Sequence, residues 1–234
     1  MFDSGFDVLG SQRPSGTNVR RVHSRDTTVC DLYERLAARY IEDRAIIPSR
    51  EREGSANVPS RERTWLDRFI ADLPERGHVL DLGCGAGAPI GAYLLARGCT
   101  LTGVDASPSL IAHCIAEFPQ GEWLLADMRG LALGRRFDGL IAWDSFFHLG
   151  HDDQRAMFDV FAAHTTPGAM LMFTSGPEHG EAYGDYHGET LYHASLAPEE
   201  YERLLASAGF RVVAHVVEDP DCGGHTVWLA KRAG

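Results

Sequence analysis

Residues 78–98, HVLDLGCGAGAPIGAYLLARG, constrain the fold more than any other segment of the chain. A short apolar run suited to a buried strand leads into glycines at 83, 85 and 87, and an apolar helical period follows. Strand, tight glycine turn and helix in that order form the first unit of an open α/β sheet. Glycines there permit positive φ and let backbone approach a ligand closely, and the following helix start offers free N–H groups.

The rest of the chain repeats that alternation. Strands are predicted at His78–Leu82, Thr100–Val104, Trp123–Ala126, Gly139–Trp143 and Ala169–Thr174, with helices near Pro89–Arg97, Pro108–Phe118, Asp152–His164 and Pro198–Ala208. RVVAHVVE, a DPDCGG turn and HTVWLAK read as a closing antiparallel strand pair. The fold class is therefore α/β, a mainly parallel twisted sheet with a terminal antiparallel pair. Upstream, residues 1–26 lack hydrophobic period and read as a flexible tail. An apolar stripe at helical spacing runs from Val29 to Ile41, with Thr28 as its cap, and a polar stretch from Pro48 to Pro59 separates it from a second amphipathic helix capped by Ser60. Residues 27–75 thus form an N-terminal helical cap on a ligand-binding domain at 76–234. The connection at 175–196 is long enough to be a binding loop or lid.

Charge narrows the partners. The formal net charge is −11, and the acids concentrate after the first 68 residues, which disfavours nonspecific nucleic-acid binding. Five widely spaced cysteines with no C-x-x-C pair argue against a disulfide scaffold or zinc knuckle, and suit a reducing cytoplasm. No apolar run is long enough to span a membrane.

Acids also separate two readings of the glycine turn. Gly83-x-Gly85-x-x-Ala88 satisfies a dinucleotide fingerprint, and Asp105, 22 residues after Gly83, suits a pair of ribose hydroxyls. A dinucleotide would bring a pyrophosphate to the helix start. Yet Asp81, Asp105, Asp127 and Asp144 come at or near the ends of four successive strands, an arrangement that favours a cationic ligand.

In order, VLDLGCGAG, VDASPSLI, ADMR and FDGLIAWDSFFHL resemble the motifs of class I S-adenosylmethionine-dependent methyltransferases, over about residues 27–234. The resemblance implies a Rossmann-like methyltransferase fold and S-adenosylmethionine as cofactor. It implies that Gly83, Cys84, Gly85 and Gly87 wrap the methionine portion, that Asp105 with Ala106 holds the ribose, and that Asp127 and Met128 meet the adenine. Backbone near Trp143 would face the methionine amino group, Asp81 and Asp144 are further cofactor-binding candidates at the same edge, and the 28–44 helix would close over the site and bring Tyr33 or Tyr40 near the methionine end. Ala88 departs from the pattern, standing where many members place an acid.

The acceptor is less legible. His148, just past the fourth strand, is the candidate base, with Ser145 and His151 beside it; His179, His187, Tyr192 and His193 lie in the 175–196 connection. The spacing of those histidines matches no metal pattern, so no metal is expected. The leading expectation is methyl transfer to O or N of a small molecule. A protein or RNA acceptor, an NAD-dependent oxidoreductase and a binding protein without turnover are the alternatives.

Overall fold

The computed structural model describes residues 24–45 and 60–234; the expected 1–26 tail, up to residue 23, and the polar stretch before Ser60 lie outside the described residues, as do the side chains of the two expected caps, Thr28 and Ser60. Seven strands form one sheet: β1 (His78–Leu82), β2 (Thr100–Asp105), β3 (Glu122–Leu125), β4 (Phe137–Ala142), β5 (Thr165–Ser175), β8 (Phe210–Asp219) and β9 (His225–Arg232). Their order across the sheet is β3-β2-β1-β4-β5-β9-β8. The first five are parallel and β9 runs antiparallel to both β5 and β8. Strand order reverses at β1 and β4. In open sheets of this kind ligands bind outside the carboxyl ends of the strands at that point.

Burial on both faces explains the uninterrupted apolar strands. Val79, Ile141, Met170 and Met172 pack on one face with Trp65, Leu66 and Phe69 of α3 (Ser60–Ala71), and with Leu94 of α4 (Ile90–Ala96). Leu80, Leu82, Leu140 and Phe173 pack on the other with Phe158 and Phe161 of α6 (His151–Ala163), and with Tyr201 and Leu205 of α7 (Pro198–Ser207). Between β2 and β3, α5 (Pro108–Glu117) starts at Ser107, whose hydroxyl accepts from Leu110 N–H.

Two expectations change. The single helix expected over 28–44 is two, α1 (Ser24–Arg35) and α2 (Ala37–Ala45), interrupted at Leu36, although bonds from Leu36 N to Leu32 O and from Tyr40 N to Leu36 O carry the ladder through. The expected loop at 175–196 is mostly a hairpin, β6 (Gly180–Tyr186) with β7 (Glu189–Ser195). His187 and Gly188 form its two-residue turn, both at positive φ (54° and 84°). Its first strand is largely exposed, so it has no buried face to print an alternating pattern. The second strand places Leu191, Tyr192 and Ala194 against Val29 and Leu32 of α1. Arg35–Glu189 at 3.1 Å, and Asp43 accepting from Tyr186 Oη at 3.0 Å and pairing with His187 Nε2 at 2.8 Å, tie the helices to the hairpin.

Candidate active site

The glycine turn is held over the end of β2, because Gly83 and Cys84 N–H both donate to Val104 O, at 2.8 and 3.0 Å. Gly83, Gly85 and Gly87 have φ of 72°, 55° and 76°, the left-handed region glycine occupies without strain. Asp105 completes the turn: one carboxylate oxygen accepts from Gly85 N–H and the other from Ser107 N–H, each at 2.9 Å. Burial raises its pKa, against the opposing pull of those backbone donors. α1 is fastened alongside by Glu34, which accepts from Ser109 N–H and Oγ and from Ser107 Oγ.

A cavity opens at this edge. Gly83, Gly85, Asp105 and Ala106 form its floor, Asp127, Met128 and Arg129 one end, and Asp144, Ser145 and His148 the other, with Val29, Cys30, Tyr33 and Tyr40 as its cover. Three carboxylates therefore face one guanidinium, and Arg129 is already bound by Asp127 (Nε to the two oxygens at 3.0 and 2.9 Å). That charge suits a cationic ligand carrying hydroxyls better than a pyrophosphate. Pro89, at the start of α4, further removes an N–H that a phosphate would use.

Tyr33, Tyr40, Asp144 and His148 also line a second cleft, with Asp43 and Arg44 from α2, Tyr186, Leu191 and His193 from the hairpin, and Phe147 and His225. These four residues are the partition between two adjoining spaces. His148 is buried, and its Nδ1 lies 2.9 Å from Tyr192 O while Nε2 lies 3.1 Å from Tyr33 Oη. A carbonyl only accepts, so Nδ1 carries the proton and the Nε2 lone pair receives the Tyr33 hydroxyl. Burial brings the His148 pKa down to about 4, only partly opposed by the Tyr192 carbonyl. Burial also raises the Tyr33 hydroxyl well above its usual range.

His225 is the opposite case. Its Nδ1 sits 2.6 Å from Cys222 O and its Nε2 3.1 Å from the Asp144 carboxylate, so both nitrogens must donate and the ring is an imidazolium. Its pKa is pushed up to about 11, chiefly by Asp144. Burial disfavours the Asp144 charge more than any single neighbour favours it, but the bond from His225 together with the charges of His225 and Arg44 outweighs it, and the group remains a carboxylate. Asp144 stands at φ 48°, its N–H donating to Thr174 Oγ1 at 2.9 Å.

Most sequence candidates converge here. Asp81 does not line the cavity: it is buried in β1, and burial together with the Asp105 charge pushes its pKa up to about 7. The Cys84 side chain is core, Gly87 packs toward Phe118 and Cys114, and the Trp143 ring lies in the core 5.4 Å from His225. Ser145 spends its hydroxyl on Leu82 O at 2.6 Å. Of the histidines, His151 stacks on His179 and bonds Gly180 O, His187 sits at the hairpin turn, and His193 alone of these faces the second cleft. Arg44 and His225 were not singled out from sequence. Nothing local marks His225, which is 81 residues from its Asp144 partner.

The Asp81 environment gives a pH test. A carboxyl raised from 3.8 to about 7 favours folding fully below pH ~4 and loses that contribution as pH rises through 7. Asp81→Asn, neutral throughout, is expected to match the parent near pH 4 and exceed its stability at pH 8 by up to about 4 kcal/mol. Urea melts of the ligand-free protein at both pH values check this, and parallel pH profiles for the two proteins would refute it.

Comparison with known proteins points to one family and one fold. A family model described as a methyltransferase domain matches residues 55–215. An O-methyltransferase of Pyrenophora dematioidea is 27% identical over 165 residues, 65% of this chain and 61% of that protein, so the chain spans about three fifths of that relative's length. The Burkholderia thailandensis 1,6-didemethyltoxoflavin-N1-methyltransferase, solved with 1,6-didemethyltoxoflavin and S-adenosylhomocysteine, superposes with a TM-score of 0.65 at 20% identity, covering 92% of each chain. CalS10, an amino pentose methyltransferase from Micromonospora echinaspora solved with S-adenosylmethionine, gives 0.59 at 21% identity, covering 73% of this chain and 89% of that one.

Proposed function

The chain belongs to the methyltransferase-domain family, and we propose that it is an S-adenosylmethionine-dependent enzyme that methylates an O or N atom of a small molecule. The observation that carries this reading is the cavity itself, where a positive-φ glycine turn meets Asp105, Asp127 and Asp144 at the reversal point of the sheet. Gly83 and Gly85 would take the methionine portion, Asp105 and Ala106 the ribose, Met128 with Asp127 the adenine, and Asp144 the ammonium. The cofactor supplies an electrophilic methyl group on a sulfonium. Tyr33 and Tyr40 exclude water above it, and His148 offers a neutral nitrogen to the acceptor's proton.

The small-molecule reading is supported by the cleft beyond the partition, which α1, α2 and the hairpin close over. Five free cysteines support a cytoplasmic location; among the described residues no helix is long and apolar enough to cross a membrane. Calorimetry with S-adenosylhomocysteine against NAD tests the reading, and tighter binding of NAD would overturn it.

Asp105→Ala is expected to weaken S-adenosylhomocysteine binding by about 10–100-fold, since it removes charge-assisted contacts worth roughly 1.5–3 kcal/mol each before water compensates. Because the carboxylate also satisfies Gly85 and Ser107 N–H, the variant should melt earlier. Unchanged affinity in a folded variant would remove Asp105 from the cofactor site.

A further inference from the structure

Seven of the eleven side chains lining the second cleft are rings, and they come from four separate parts of the fold: Tyr33 and Tyr40 from the helical cap, Tyr186 and His193 from the hairpin, Phe147 and His148 after β4, and His225 at the start of β9. All except His148 are only partly buried, whereas Phe146, the neighbour of Phe147, is fully buried. Tyr33 stands 5.4 Å from Tyr40, 5.5 Å from His148 and 6.0 Å from Tyr186, and His193 stands 5.1 Å from Phe147 and 4.9 Å from His148. Partly uncovered rings facing one space suit stacked or edge-on contact with a flat ligand. The cleft is not strongly charged. His225 is neutralised by Asp144, Arg44 has Asp144 and Glu62 among its neighbours, and Asp43 is engaged by Tyr186 and His187.

Resting on the methyltransferase reading, we propose that the acceptor is a planar aromatic or heteroaromatic compound bearing an acidic ring O–H or N–H. Its proton leaves through Tyr33 Oη to His148 Nε2, the pair that stand 3.1 Å apart at the partition. Tyr33 already donates to Nε2, so its oxygen lone pairs are the acceptors left for an incoming hydroxyl. The ring oxygen or nitrogen bonds the methyl carbon while the S–C bond breaks, its electron pair staying on sulfur. The acceptor's proton passes to Tyr33 Oη and the Tyr33 proton to His148 Nε2, so tyrosine ends as it began and histidine ends as an imidazolium that solvent later deprotonates. A base as weak as His148 serves an acidic ring group better than an aliphatic alcohol.

Metabolite extract incubated with the enzyme and methyl-labelled cofactor tests the class of acceptor. The labelled product is expected to carry an aromatic chromophore, with the label on a ring O or N; a saturated product would overturn the proposal. Tyr33→Phe tests the relay. It is expected to lower turnover by about 10²-fold or more at neutral pH. The loss should shrink about tenfold per pH unit toward the acceptor's own pKa, because only acceptor already ionised can then react. Full turnover in folded Tyr33→Phe, or a loss that does not recover with pH, would sink the relay. Nitrogen NMR of His148 gives a readout without turnover: its Nε2 resonance should move in Tyr33→Phe while Nδ1 stays protonated, and an unmoved Nε2 would also count against it. Absent S-adenosylhomocysteine binding would remove the parent reading, whereas binding with a ringless product would remove this inference alone.

Discussion

Gly85→Val is expected to abolish S-adenosylhomocysteine binding, raising the dissociation constant by at least ~10²-fold, in a protein that still folds. Gly85 stands at φ 55°, where a β-branched residue is strongly disfavoured. A Cβ there would lie 2.7 Å from Tyr40 Oη and 3.0 Å from its ring. The Tyr40 side chain can yield, but only by leaving the wall it shares between the cavity and the cleft. The rest of the valine would occupy the cavity floor, and tilting the backbone to relieve φ would pull Gly85 N–H from Asp105. The losses act on one site, so they need not unfold the sheet. Gly98→Ala is the control, since Gly98 has φ 84° with nothing within 4 Å of an added Cβ. It should pay backbone strain alone and bind normally. Calorimetry on both, after circular dichroism establishes folding, decides the matter; Gly85→Val binding within threefold of the parent would contradict this account of the turn.

What the sequence revealed follows the range of the interactions. β1 ends where expected because the apolar run meets a glycine that must take positive φ, both local facts. The carboxyl-edge acids were visible because a parallel sheet aligns its strand ends, which puts Asp105, Asp127 and Asp144 on one cavity. Asp81 stands apart from those three, because it sits inside the strand, one residue before its end, and is buried outside the cavity lining. The hairpin was hidden for a different reason: its first strand is exposed, and the His187-Gly188 turn lacks the common Asn-Gly or Asp-Gly signature. Long-range pairing was illegible. Nothing near His225 announces a partner two residues past β4, and nothing near Tyr33 announces His148, 115 residues away.

His148→Asn is expected to leave S-adenosylhomocysteine affinity nearly unchanged and to lower turnover by ~10²–10⁴-fold, the usual weight of a positioned base. Asparagine suits the question because its amide N–H can keep the bond to Tyr192 O while no titratable nitrogen remains. The pH behaviour separates base from packing group. With a folded pKa of about 4, Nε2 is free throughout the neutral range, so turnover in the parent enzyme should show no acid limb near 6.5 and should fall only as pH approaches 4. Stability moves over the same window. The unfolded histidine binds a proton below about 6.5 and the folded one does not, so this contribution is present above 6.5 and is lost at up to about 1.4 kcal/mol per pH unit down to about 4. His148→Asn should lack that slope, making it less sensitive to mild acid than the parent. A purely structural histidine would give the same stability result, so turnover per folded molecule is the deciding measurement. Parent-level turnover in folded His148→Asn would take the base from the partition.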